Sequence, residues 1–397
     1  AALGQVTSYV QADDKQEPVV KLLTVIASRE ALLDEIIPQR LPGTSLMRIN
    51  LTALAWDDKD WAAVFGAKSN PYTPHDNPLI VPGGFYIEAL ADGTRSDALY
   101  RFHFGRSPKT VGEFWSAVGI DPEKQRGLSF GLVEGSSGVN VAKNGARLLT
   151  FFDGTHVEAW ETLDVKRVEP GRDPLEALDR KNFNADGSEI FVLRPVVSTS
   201  GVRGLLPITA LANGEGKIVQ EAPVDLVLDH TKAGGLVSIR NMISCLSCHA
   251  KGPNIPSVNA LRDRLAKGVE LNADQKRKIE IELFHLGDGA VTKALKRWEE
   301  GYAEAVQAIA GMQPEAWSKQ FVAVVATYRA DVDLERAAAE LDCKPDDLRL
   351  ALGYASLNKI DVGNRAAGLG HGISMPRSAF EKEYLKLQSL LEIWRVK

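Results

Sequence analysis

Residues 241–253 read NMISCLSCHAKGP. Two of the chain's three cysteines, Cys245 and Cys248, stand two residues apart here, and His249 follows at once. That order of thiol, thiol and imidazole suits covalent haem c. The two sulfurs can form thioether bonds to the two vinyl groups, and the adjacent histidine can offer Nε2 to the iron as proximal ligand. Scattering three cysteines and seven histidines at random would produce the string in about one sequence in several thousand. A structural zinc site fits less well, because it needs four ligands and the chain has neither a second cysteine pair nor two histidines at finger spacing. A thioredoxin-like dithiol would stand at a helix start inside a βαβ unit, whereas the sequence after this motif reads as helix alone.

Other residues acquire roles from that reading. A metal-bound histidine needs an acceptor for its second ring N–H, and the following KGPNIP offers a backbone carbonyl near Pro253. Arg240, upstream of Cys245, is a candidate partner for a haem propionate, since its forked donors match a carboxylate. A low-spin carrier needs a sixth ligand, normally Met or His. Met375 in GHGISMPRSAF is the first candidate, because a Met before Pro in a glycine-bearing loop is like the distal loop of small class I cytochromes c. His285, His371 and Met312 are alternatives, as are His103 and His156 from the preceding half of the chain. An open sixth position is a further possibility. It would turn an electron carrier into an enzyme or gas-binding protein for a small molecule such as peroxide or nitric oxide. Cys343 reads as a thiol packed like a small hydrophobe.

The elements around these residues fall into two halves. Up to about residue 235 the chain is turn-rich and β-leaning, with strand patterns at 46–56, 83–93, 97–105, 146–165 and 188–196. Residues 203–228 carry Asn213, Gly214 and Gly216 between two apolar runs, which predicts a hairpin. Helices are expected at 28–37 and after Ser107, with Ser107 as cap, Pro108 in the first turn, and Val111, Phe114, Trp115 and Val118 on one face. After residue 257 the periodicity is helical throughout. Ser378 and Glu381 form a capping-box pattern ahead of the last helix. The fold class is therefore α+β: a β-rich region over 1–235, then a helical cytochrome c-like haem region over 236–397, with the CxxCH motif near the seam.

Composition excludes some partners. At 397 residues, 44% hydrophobic and 25% charged, the chain is long enough and apolar enough to bury a core. A net charge of -5 argues against a nucleic-acid binder, whose footprint is basic. No apolar run reaches membrane-spanning length. The sequence begins AALGQV without methionine, in keeping with signal-peptide removal or with trimming. The Gly-rich phosphate loops, nucleophile elbow and HExxH motif are absent from the N-terminal half.

Several stretches give the chain a family likeness. INLTALAWDDKDWAAVF, EIFVLRPVVSTSGVRGLLPITALANGEGKIVQEAPVDLVLDH, IRNMISCLSCHAKG and YRADVDLERAAAELDCKPDDLRLAL together resemble a large bacterial family of single-haem c-type cytochrome proteins abundant in planctomycete-like genomes. The resemblance runs from about residue 48 onward and is firmest over the haem segment. It implies one covalent haem c and an extracytoplasmic, periplasmic location. One-electron exchange with a redox partner protein or a multi-subunit redox complex is the expected function.

Overall fold

The computed structural model describes residues 7–11, 39–40, 46–50, 80–82, 100, 104–133, 146–153, 158–167, 169, 184–197, 203–228, 237–252, 272–274, 276–277, 280–281 and 289–396. Over these residues the protein is α+β. Four short strands come first: β1 (Thr7–Gln11), β2 (Gln39–Arg40), β3 (Leu46–Asn50) and β4 (Ile80–Pro82). They form one sheet in the order β2-β3-β1-β4, in which β1 runs parallel to β4. Helix α1 (Val111–Val118) leads into a second sheet of β5 (Arg126–Val133), β6 (Ala146–Asp153), β7 (Glu158–Val165), β8 (Gly187–Val197), β9 (Arg203–Asn213) and β10 (Ile218–Val219). These six strands are ordered as they occur in the chain, every neighbouring pair antiparallel.

Side-chain alternation gives this second sheet two different faces. Phe152, Ala159, Ile190, Val192, Ile208 and Ala210 point one way and pack on Tyr100, Phe114, Trp115 and Ile120. The Phe151↔Trp160 and Trp160↔Phe191 pairs place three aromatic rings in one cross-strand row on the other face. That second face receives the CxxCH segment.

The remaining chain is helical: α2 (Ile243–Cys248), α3 (Ala290–Ala310), α4 (Pro314–Arg329), α5 (Leu334–Glu340), α6 (Pro345–Leu357), α7 (Asn364–Leu369) and α8 (Arg377–Arg395). One apolar cluster runs from Met242, Ile243 and Leu246 at α2 through Tyr302, Trp317 and Phe321 to Phe380, Tyr384 and Leu391 of α8. A buried ion pair crosses it, with Arg377 donating to both carboxylate oxygens of Glu340 at 2.6 Å and its Nε to the Tyr328 carbonyl at 2.7 Å.

Several expectations for these elements hold, and others change. The stretch at 146–165 is two strands, β6 and β7, and the predicted hairpin is β9–β10, with Gly216 at φ 71°. Tyr100 and Phe104, expected on a strand, are helical, and their rings stack 6.2 Å apart. An alternating apolar pattern also contains pairs four residues apart, and here the helical pairing wins. Helix α1 is capped by Thr110, whose Oγ1 accepts from the Glu113 N–H, instead of by Ser107. The predicted box at α8 is absent, because Ser378 already lies inside the helix and Glu381 accepts from the Tyr328 hydroxyl at 2.6 Å. Cys343 follows α5 and is half-buried against the helical core, with burial raising its thiol pKa. The helix expected at 28–37 lies outside the described residues.

Candidate haem site at the CxxCH helix

The approach to α2 is fastened to the middle of the second sheet. Asn241 is fully buried; its Oδ1 accepts from Thr209 Oγ1 at 2.7 Å and its Nδ2 donates to the Tyr100 hydroxyl at 2.6 Å. Tyr100 in turn donates to the Thr209 carbonyl at 2.9 Å. Met242 then enters the helix at φ 62° and donates its N–H to Thr209 Oγ1. A side chain in that left-handed region costs about 1–3 kcal/mol and persists where its surroundings over-determine it. The Asn241–Thr209–Tyr100 bonds supply that constraint.

Within α2 the motif residues take different surroundings. Cys245 and His249 are four apart, joined by the His249 N–H to the Cys245 carbonyl at 2.8 Å, so they share one side of the turn. Cys245 is 2% exposed, and its Sγ lies 3.4 Å from Glu189 Oε1 on β8. Burial, reinforced by the Glu189 charge, pushes its pKa well above the usual thiol range. Cys248 is half-buried. Behind the helix, Ser318 of α4 donates to the Leu246 carbonyl at 3.3 Å.

His249 closes the helix against the aromatic row. Its ring stands edge-on to Phe191 at 4.6 Å and 6.5 Å from Trp160. Its Nδ1 lies 3.3 Å from the Gly252 carbonyl oxygen, in the residue before Pro253. A carbonyl only accepts, so Nδ1 carries the proton and Nε2 keeps its lone pair. Burial lowers the His249 pKa below its ordinary value, the Glu189 charge and the Gly252 carbonyl oppose this, and Arg147 adds to it.

Three charged side chains lie beside this pair. Arg147 makes a forked ion pair with Asp164 at 2.6 and 2.9 Å, and Glu189 Oε2 is 4.0 Å from Arg147. Burial opposes the Arg147 charge, but Asp164 and Glu189 outweigh it and raise its pKa. All three line a small cavity of about 20 Å³, closed by Leu211, Leu226 and Ile239.

The donor chemistry of these residues fits a haem iron. Two thiols lie one turn apart, an imidazole follows, and its Nδ1 lies against a carbonyl in the way that orients metal-bound histidines. Among the described residues no cluster of three or more His, Cys, Asp or Glu could hold a bare metal ion.

The other site expectations are scattered. Arg240 forms an ion pair with Glu221 at 2.7 Å. Met375 is 1% exposed in the helical cluster, and its backbone pairs with Val332 in both directions at 2.8 and 2.9 Å. No ring contact or hydrogen bond joins Met375 to His249 among the described residues. Met312 packs half-buried against the same cluster, and His371 is exposed. Pro253, His103, His156 and His285 lie outside the described residues.

Sequence reading missed Glu189, Arg147, Asp164 and the aromatic row. A signal was present. Trp160 and Asp164 share one strand phase, as do Glu189 with Phe191 and Arg147 with Phe151, so charges alternate in register with the rings that face the motif. Comparison with family models, with curated proteins and with solved structures finds no match to this chain.

Proposed function

We propose that this chain carries one covalently attached haem c and acts as an extracytoplasmic one-electron carrier. Cys245 and Cys248 are the thioether anchors, and His249 is the proximal ligand. The observation that carries the reading is the placement of His249, with Nδ1 3.3 Å from the Gly252 carbonyl oxygen and the ring one helical turn from a motif thiol. When bound, the haem would supply a reversible one-electron centre whose potential depends on its ligands and on nearby charge. This chain's own contribution is to orient the imidazole, exclude water with Phe191 and Trp160, and place Glu189 and Arg147 beside the anchor. No helix among the described residues is long and apolar enough to cross a membrane, so the proposed partner is a separate redox protein or the other subunits of a redox complex.

The test is expression in a host that attaches haem to exported proteins. The expected result is a coloured protein whose mass exceeds the bare chain by one haem and whose colour is lost in Cys245→Ala with Cys248→Ala. A colourless product of bare-chain mass would overturn the proposal. The oxidised spectrum reads the sixth position: a weak long-wavelength sulfur band for methionine, or a high-spin pattern shifted by carbon monoxide for an open site.

A further inference from the structure

We propose that Phe191, Trp160 and Trp298 form the route by which single electrons pass between His249 and the outer surface of α3 at Arg297. The proposal rests on the haem reading above. The rings make an unbroken series: His249 to Phe191 is 4.6 Å between centroids, Phe191 to Trp160 is 4.6 Å at 13°, and Trp160 to Trp298 is 4.7 Å at 21°. The last two contacts are near-parallel stacks and the first is edge-on at 62°, all within the contact range through which ring orbitals couple. The three are 2%, 5% and 1% exposed, so water does not interrupt the series. At its far end stands Arg297, exposed and paired with Glu158 at the start of β7.

Trp298 supplies a second argument. Its Nε1–H is buried and has no acceptor among the described residues, as is also true of Trp317 and the Tyr302 hydroxyl. A buried donor left unmet is a cost to folding. Phenylalanine would pack against Trp160 and Phe151 without that cost. What indole offers in return is an electron-rich ring that is oxidised more readily than phenyl. In the flash experiment below, one electron would leave ferrous iron, which becomes ferric, and reduce the photogenerated ruthenium(III) of a label at the Arg297 end to ruthenium(II); the aromatic rings end unchanged.

The experiment uses the haem-loaded protein with Cys343→Ser and a ruthenium polypyridyl label on Arg297→Cys, or on Leu357→Cys as a distant control. Laser flash oxidation is followed at the haem band and at the absorption of the tryptophan radical. With the label at Arg297→Cys, both Trp298→Leu and the packing-conserving Trp298→Phe should slow electron arrival by at least about tenfold. Both should abolish the tryptophan radical signal, leave the midpoint potential in place and leave the Leu357→Cys rate unchanged. Rates within about twofold of the parent in both variants, or no radical signal in the parent, would overturn the route. If the protein purifies without haem, the preceding reading fails, and the radical signal on flash oxidation still tests the ring series.

Discussion

Gly252→Ala is the sharpest perturbation of the proposed site. Gly252 sits at φ 104°, and its carbonyl is the acceptor for His249 Nδ1. An added Cβ would lie 3.4 Å from Glu299 Cα, an ordinary contact, so steric clash contributes little. The cost is conformational: a non-glycine residue in the left-handed region loses about 1–2 kcal/mol. If the backbone rotates to escape that cost, the carbonyl leaves His249 and ~0.5–1.5 kcal/mol of hydrogen bonding is lost in its place. The expected loss of unfolding free energy is about 1–2 kcal/mol, measured by urea denaturation. Gly311→Ala is the control, since Gly311 has φ 69° with open space around it and follows the end of α3. Its loss reports the backbone contribution alone. The Gly252 carbonyl also raises the His249 pKa, so its displacement should lower that pKa further, visible by NMR titration. Equal losses in the two variants with an unmoved His249 titration would refute the claim that Gly252 orients the imidazole.

Two further outcomes follow from buried charge. Glu340→Ala strands the 5%-exposed Arg377 side chain beside Arg336 and should cost about 3–5 kcal/mol, whereas Glu340→Leu with Arg377→Met should recover most of it in the same urea assay. In the haem-free protein the His249 pKa is depressed below its ordinary 6.5, so the unfolded chain takes up the proton first. Its contribution to stability is therefore complete above that value and is lost as pH falls from about 6.5 toward the folded-state value. His249→Asn should flatten the slope of stability against pH in that window.

Much of this architecture is legible in the residues. Alternation marks β8, the glycine turn marks β9–β10, and the loss of β signals after 257 marks the helical run, because each depends on local periodicity. The α1 cap and the α8 box were misread, since several Ser, Thr and Glu residues compete for each helix start and packing chooses among them. The motif itself is readable because three reactive residues occur in a fixed order. Its surroundings are not, because Glu189 and Arg147 reach it from 56 and 98 residues away in the chain, through strand register alone. Met375 shows the opposite limit. Its sequence suggests a ligand loop, and no local pattern announces that its backbone forms an isolated bridge with Val332.

The near-complete enclosure of Cys245 has a bearing on the order of events during biogenesis. A sulfur with 2% of its residue's surface exposed, wedged between α2 and the Glu189 strand, is out of reach of any attaching enzyme once the sheet has docked. Porphyrin attachment of the kind proposed therefore belongs to the nascent, unfolded chain. On the proposed function, a molecule that completed its tertiary structure first would be a dead-end product, so ligation is expected to precede folding.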